Sequence, residues 1–102
     1  MSYRVVYTEP FLNAIDAHVD YLLGEGASPE RIAGWYDKLF EHFDMLDVWP
    51  RMYPVDEPYS AEAGRTCHKV SYANYLVFYE VKDEERAVKL LAFFNGAKNW
   101  KR

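Results

Sequence analysis

The sequence has 102 residues, half of them hydrophobic, with nine Tyr, six Phe and three Trp; this predicts one domain with an aromatic core and excludes a disordered chain. A formal net charge of −4 excludes the uniformly basic surface of a generic nucleic-acid binder. The single cysteine, Cys67, excludes an internal disulfide, and the short apolar runs predict neither a membrane span nor a secretion signal, so a reducing cytoplasm is the expected location.

Charge is unevenly spread. Residues 1–64 hold four basic against twelve acidic side chains, and residues 65–102 hold eight against four. An acidic first part and a basic second part point to separate interaction surfaces.

In chain order, Tyr3 to Tyr7 is β-branched and aromatic and predicts a short strand. Thr8-Glu9-Pro10 supplies an N-cap and a first-turn proline for a helix running to about Leu23. Phe11, Leu12, Ile15, Val19, Leu22 and Leu23 form its apolar stripe, and Gly24-Glu25-Gly26 ends it. Ser28-Pro29-Glu30 starts a second helix, with Ile32, Trp35, Tyr36, Leu39, Phe40, Phe43 and Leu46 on one side, expected to reach about Val48 before Pro50. The short link predicts an antiparallel helical hairpin.

Residues 49–64 contain Pro50, Pro54 and Pro58 among acids and are expected to form a surface loop. Three strand-like runs follow, 65–71, 75–81 and 87–94, joined by Ala73-Asn74 and by a charged tip at 82–86, which predicts an antiparallel meander. The middle run is apolar on both faces and is expected at the centre of the sheet. The class is therefore α+β: a strand, a two-helix hairpin and a three-stranded meander. Pattern alone does not place the first strand in the sheet.

Several chemistries find no support in the motifs, since the chain lacks a Gly-rich phosphate loop, zinc-ligand spacing and a nucleophile-elbow serine. No cofactor and no metal are expected. Cys67 and His68 are adjacent, so on a strand they face opposite ways and make a poor catalytic dyad. His18 and His42 read as boundary histidines. Asp44 with Asp47, and Asp83 to Glu85, read as solvated charge.

One constellation stands apart: Arg65 and Lys69 on the first meander strand, Tyr72 and Tyr75 at the following turn, and Lys98, Trp100, Lys101 and Arg102 in the tail. Taken as one strand, residues 65–71 put Arg65 and Lys69 on the same face. Cations edged by aromatic rings suit a phosphate-bearing or large acidic partner, so these eight are the candidate binding residues.

Over nearly its full length the chain resembles the RelE/ParE toxins of type II toxin–antitoxin modules. The resemblance rests on the element order, on Val5-Val6-Tyr7, Pro50 and Arg65, on Tyr72-Ala73-Asn74-Tyr75-Leu76-Val77-Phe78-Tyr79-Glu80-Val81, and on Gly96-Ala97-Lys98-Asn99-Trp100. It implies a cognate antitoxin as partner and one of two targets. ParE-like members bind and inhibit DNA gyrase without a catalytic group, whereas RelE-like members cleave messenger RNA on the ribosome and use a C-terminal Tyr or His for proton transfer.

Here Asn95 stands where the family commonly has His, Lys98 where it has Arg and Asn99 where it has Asp, and no Tyr or His follows Tyr79. That favours the gyrase-binding activity over RNA cleavage; a non-toxic binding protein on the same fold is the third reading. Within that third reading, the acidic helical part docks a basic partner through Asp16, Asp20, Glu41 and Asp44. The sequence leaves oligomeric state open.

Overall fold

A computed structural model of the chain describes residues 2–95. Its architecture is α+β, in the order β1 (Arg4–Tyr7), α1 (Glu9–Gly24), α2 (Pro29–Asp44), a 3-10 turn (Met45–Asp47), α3 (Glu57–Ala63), β2 (His68–Tyr72), β3 (Tyr75–Lys82), a second 3-10 turn (Asp83–Glu85) and β4 (Ala87–Asn95). The strands form one sheet in the order β1-β4-β3-β2. β2, β3 and β4 are the expected antiparallel meander, and β1 joins its far edge parallel to β4, with Val5 opposite Val88 and Tyr7 opposite Leu90. The two inner strands are thus β3 and β4.

Local chemistry sets the helix ends. Ser28 accepts a hydrogen bond from the Arg31 amide at 3.2 Å with Pro29 at the first helical position, the cap the sequence predicts. Thr8 occupies the N-cap position of α1, but its hydroxyl donates instead to the Leu90 carbonyl at 2.6 Å, tying the helix start to β4. α2 stops at Asp44, four residues before the expected end, and tightens into the 3-10 turn there.

Both long helices lie on one face of the sheet. Phe11 and Ile15 of α1 and Leu39 and Phe43 of α2, all fully buried, pack on Val70, Val77, Tyr79, Val88, Leu90 and Phe93. Leu90 and Phe93 are three apart, which strict alternation would place on opposite faces. A bulge resolves this: Tyr79 pairs with Leu90 and Phe78 with Ala92, so Leu91 is skipped and both core residues face the helices.

The expected loop at 49–64 contains a helix. Asp56 caps α3 by accepting from the Tyr59 amide at 2.9 Å, Pro58 sits in its first turn, and Gly64 ends it in the left-handed region at φ 73°. α3 covers the opposite face of the sheet. Tyr59 stacks on Phe78 with ring centroids 3.9 Å apart, and Phe78 meets Phe94 edge-on. The Asp56 amide donates to the Cys67 carbonyl at 2.9 Å and the Cys67 amide to Ser60 Oγ at 2.8 Å, fastening α3 to the segment entering β2.

Candidate functional site

The candidate residues divide between the two faces of the sheet. Lys69 lies opposite Phe78 in the β2–β3 register, on the α3 face. Tyr72 and Tyr75 pair with each other across the turn and point to the α1–α2 face. The single cation-and-tyrosine platform read from the sequence is therefore not formed by these residues. Lys98, Trp100, Lys101 and Arg102 lie outside the described residues.

Arg65 precedes β2, so the alternation argument does not govern it. Its guanidinium lies 2.9 Å from the Glu80 carboxylate; the Glu80 side chain is 8% exposed and that of Arg65 51%. Lys69 Nζ lies 3.5 Å from Asp56 Oδ1, so the carboxylate that caps α3 also meets this cation. Both described cations of the candidate set are thus matched by acids, one from β3 and one from the start of α3. Sequence reasoning missed Glu80 and Asp56; continuing the Tyr72–Tyr75 turn register back beyond His68 and Tyr79 was the available signal for Glu80, and the Asp56-Glu57-Pro58 helix start the one for Asp56.

Beside this pair sits Cys67, fully buried. Burial pushes its thiol up from the ordinary range, Glu80 adds to the rise and Arg65 opposes it. A thiol held protonated is a poor nucleophile. His68 faces the other way, its ring stacked on Tyr79 at 5.0 Å and its Nδ1 2.7 Å from the Tyr53 carbonyl. The neighbours do not form a dyad.

Tyr75 and Tyr72 are each locked to a helix through a histidine. His18 Nε2 is 3.1 Å from the Tyr75 hydroxyl, and the His18 ring is enclosed by Tyr21, Trp35, Tyr75 and Phe93. His42 packs on Tyr72 at 4.4 Å between centroids, while its Nε2 lies 2.9 Å from the Tyr53 hydroxyl. Burial lowers the pKa of both histidines and raises that of Tyr75. These rings serve helix–sheet packing first, and Tyr75 is partly buried within it.

At the other end of the sheet, Asp83 accepts from the Tyr3 hydroxyl at 2.7 Å and from Arg51 at 2.6 Å. These bonds, that of Arg51 above all, hold the Asp83 carboxyl below its ordinary range. They clasp the approach to β1, the segment before α3 and the β3–β4 turn. No described helix is long and apolar enough to cross a membrane, and the described residues contain no cluster of three potential metal ligands.

An α+β sheet with a helical hairpin on one face and a basic C-terminal part defines the class to which the sequence pattern pointed. The profile of the family described as "ParE toxin of type II toxin-antitoxin system, parDE" matches residues 5–100. The chain belongs to the ParE toxin family of type II toxin–antitoxin systems. It shares its fold with a chain of the RelBE2 toxin–antitoxin complex from Mycobacterium tuberculosis, at 15% identity and a TM-score of 0.59 over 93% of this chain and 99% of that one. A chain of the Escherichia coli RelBE complex is similar at 17% identity and a TM-score of 0.45, over 95% and 99% of the two chains. No curated protein matches the sequence.

Proposed function

We propose that the chain is a ParE-like toxin that acts in the cytoplasm by binding DNA gyrase and is neutralised by a cognate antitoxin. The observation that carries the choice of target is the pairing of Arg65 with Glu80 and of Lys69 with Asp56. An enzyme that cleaves RNA needs cations available to a strained phosphate and a group to move a proton. Here the two described cations of the candidate set face carboxylates, and Asn95 stands where proton transfer would be sought. A binding inhibitor needs neither, only a shaped surface. Of the eight candidate residues, Lys98, Trp100, Lys101 and Arg102 are the proposed contact set, while Arg65, Lys69, Tyr72 and Tyr75 hold the sheet together.

Controlled induction in a bacterial host tests this, with growth, the DNA-damage response and messenger RNA levels followed together, and with purified gyrase assayed for supercoiling. The expected result is growth arrest with a DNA-damage response and inhibited supercoiling, relieved by Lys98→Glu with Arg102→Glu while the circular dichroism spectrum stays native. Arrest with rapid loss of messenger RNA and unaffected gyrase would replace this reading with ribosome-dependent cleavage. Absence of arrest would leave the non-toxic binding protein.

A further inference from the structure

Among the described residues, the most exposed group of large apolar side chains lies where α2 gives way to the 3-10 turn. Met45, Val48, Trp49 and Met52 are 50%, 57%, 59% and 47% exposed. Their support is firm. Leu46, between them, is fully buried in the main core; the Tyr3 amide donates to the Asp47 carbonyl at 2.8 Å, and the Trp49 amide to the Met45 carbonyl at 2.9 Å. Met45 stands between two clefts, one of about 300 Å³ walled by Glu41, Asp44, Asp47 and Trp49, the other of about 540 Å³ reaching past His42 to Met52 and Tyr72.

The charge around this ridge is mainly acidic, because Arg51 within it is taken up by Asp83 at 2.6 Å. Lys38 lines the larger cleft, but Glu41, Asp44 and Asp47 make no ion pair with a described residue. Such a wall repels phosphate, and it would meet itself unfavourably across a two-fold contact between copies of the chain. Aliphatic side chains flanked by cations suit it on both counts. A ridge with a cleft on each side matches the side-chain rows of an amphipathic helix. We infer that the Met45–Met52 ridge docks a helical segment of a protein partner bearing a Leu- or Ile-rich stripe edged by Lys or Arg. The inference goes beyond the gyrase reading and does not depend on it.

The test titrates the isotope-labelled full chain with a synthetic helical peptide of about 18 residues, long enough for stable helix formation, carrying a leucine stripe flanked by lysines. Its glutamate-flanked counterpart is titrated in parallel. Expected are amide shifts confined to residues 38–53 and affinity at least about tenfold weaker for the glutamate peptide. Trp49→Ala, and Glu41→Lys with Asp44→Lys, each weaken the lysine peptide by about tenfold or more without lowering the melting temperature. The inference is overturned by no binding, by equal binding of the two peptides, or by shifts centred on the groove between α1 and α2 near Leu23 and Tyr36. Sedimentation showing a dimer that Trp49→Ala dissolves would overturn it as well, assigning the ridge to a second copy.

Discussion

At the scale of single residues, Arg65 and Glu80 show how partnership decides what a charged side chain can do. Taking a carboxylate out of water costs several kcal/mol unless a cation and hydrogen bonds compensate. Glu80 is nearly enclosed and Arg65 reaches it from the surface, so the first role of Arg65 is to compensate that burial. A fully buried pair broken on one side loses about 3–5 kcal/mol; here half the guanidinium is in water, and Arg65→Ala is expected to cost about 1–2 kcal/mol in urea unfolding. In a Glu80→Gln background the same substitution should cost less than half as much. Equal costs in the two backgrounds would show that the pair contributes nothing.

At the scale of elements, the sequence was informative wherever burial follows a period. The stripes of α1 and α2 and the alternation of β3 place most of the main core because each element turns one side to the same interior, but Leu12, Leu23 and Tyr36, also assigned to those stripes, are exposed. α3 escaped that logic: it has seven residues and no fully buried side chain, so it carries no stripe, and three prolines disguised it. Its only signals were end signals, Asp56 with Pro58 and then Gly64. The position of β1 was illegible for a different reason, since a parallel pairing with a strand some eighty residues later leaves no local mark. The candidate site failed in the same way. Arg65 and Lys69 do share the α3 face, Arg65 reaching it from before β2 through Glu80, but the acids that match them come from elsewhere in the chain.

α3 also has a testable role as a cover. Tyr59 lies flat on Phe78, and its own phenol pKa is raised chiefly by burial, with Cys67 next. Removing that ring should open the shielded thiol. Tyr59→Ala is expected to speed the reaction of Cys67 with a disulfide reagent in the folded protein by about tenfold or more, since reactivity follows exposure and thiolate fraction. Tyr59→Phe keeps the stacking ring and should leave the rate within about twofold of wild type. An unchanged rate in the alanine variant would mean that α3 does not seal this face.

For the whole molecule, the joint between helices and sheet depends on pH. α1 reaches the sheet through His18 and Tyr75, and α2 through His42 and Tyr72, with Tyr53 of the segment before α3 bonded to the same imidazole. Burial holds both imidazoles below their ordinary value of 6.5. As pH falls through 6.5 the unfolded chain takes up protons that the folded chain refuses, so the unfolded state binds more protons and stability declines. The stabilisation is complete above 6.5 and is lost progressively as pH drops towards the folded values, by at most about 1.4 kcal/mol per pH unit for each histidine. Asp83 and Glu85, whose pKa values are lowered by Arg51 and by Lys89 respectively, act in the same direction but only below the ordinary carboxylate range. Between pH 7.5 and 5.5 the histidines should therefore dominate. The urea midpoint is expected to fall across that interval in the wild type, and to fall less steeply in His18→Gln with His42→Gln, where an uncharged amide replaces each ring. Parallel slopes in the two proteins would place the acid sensitivity outside the helix–sheet joint.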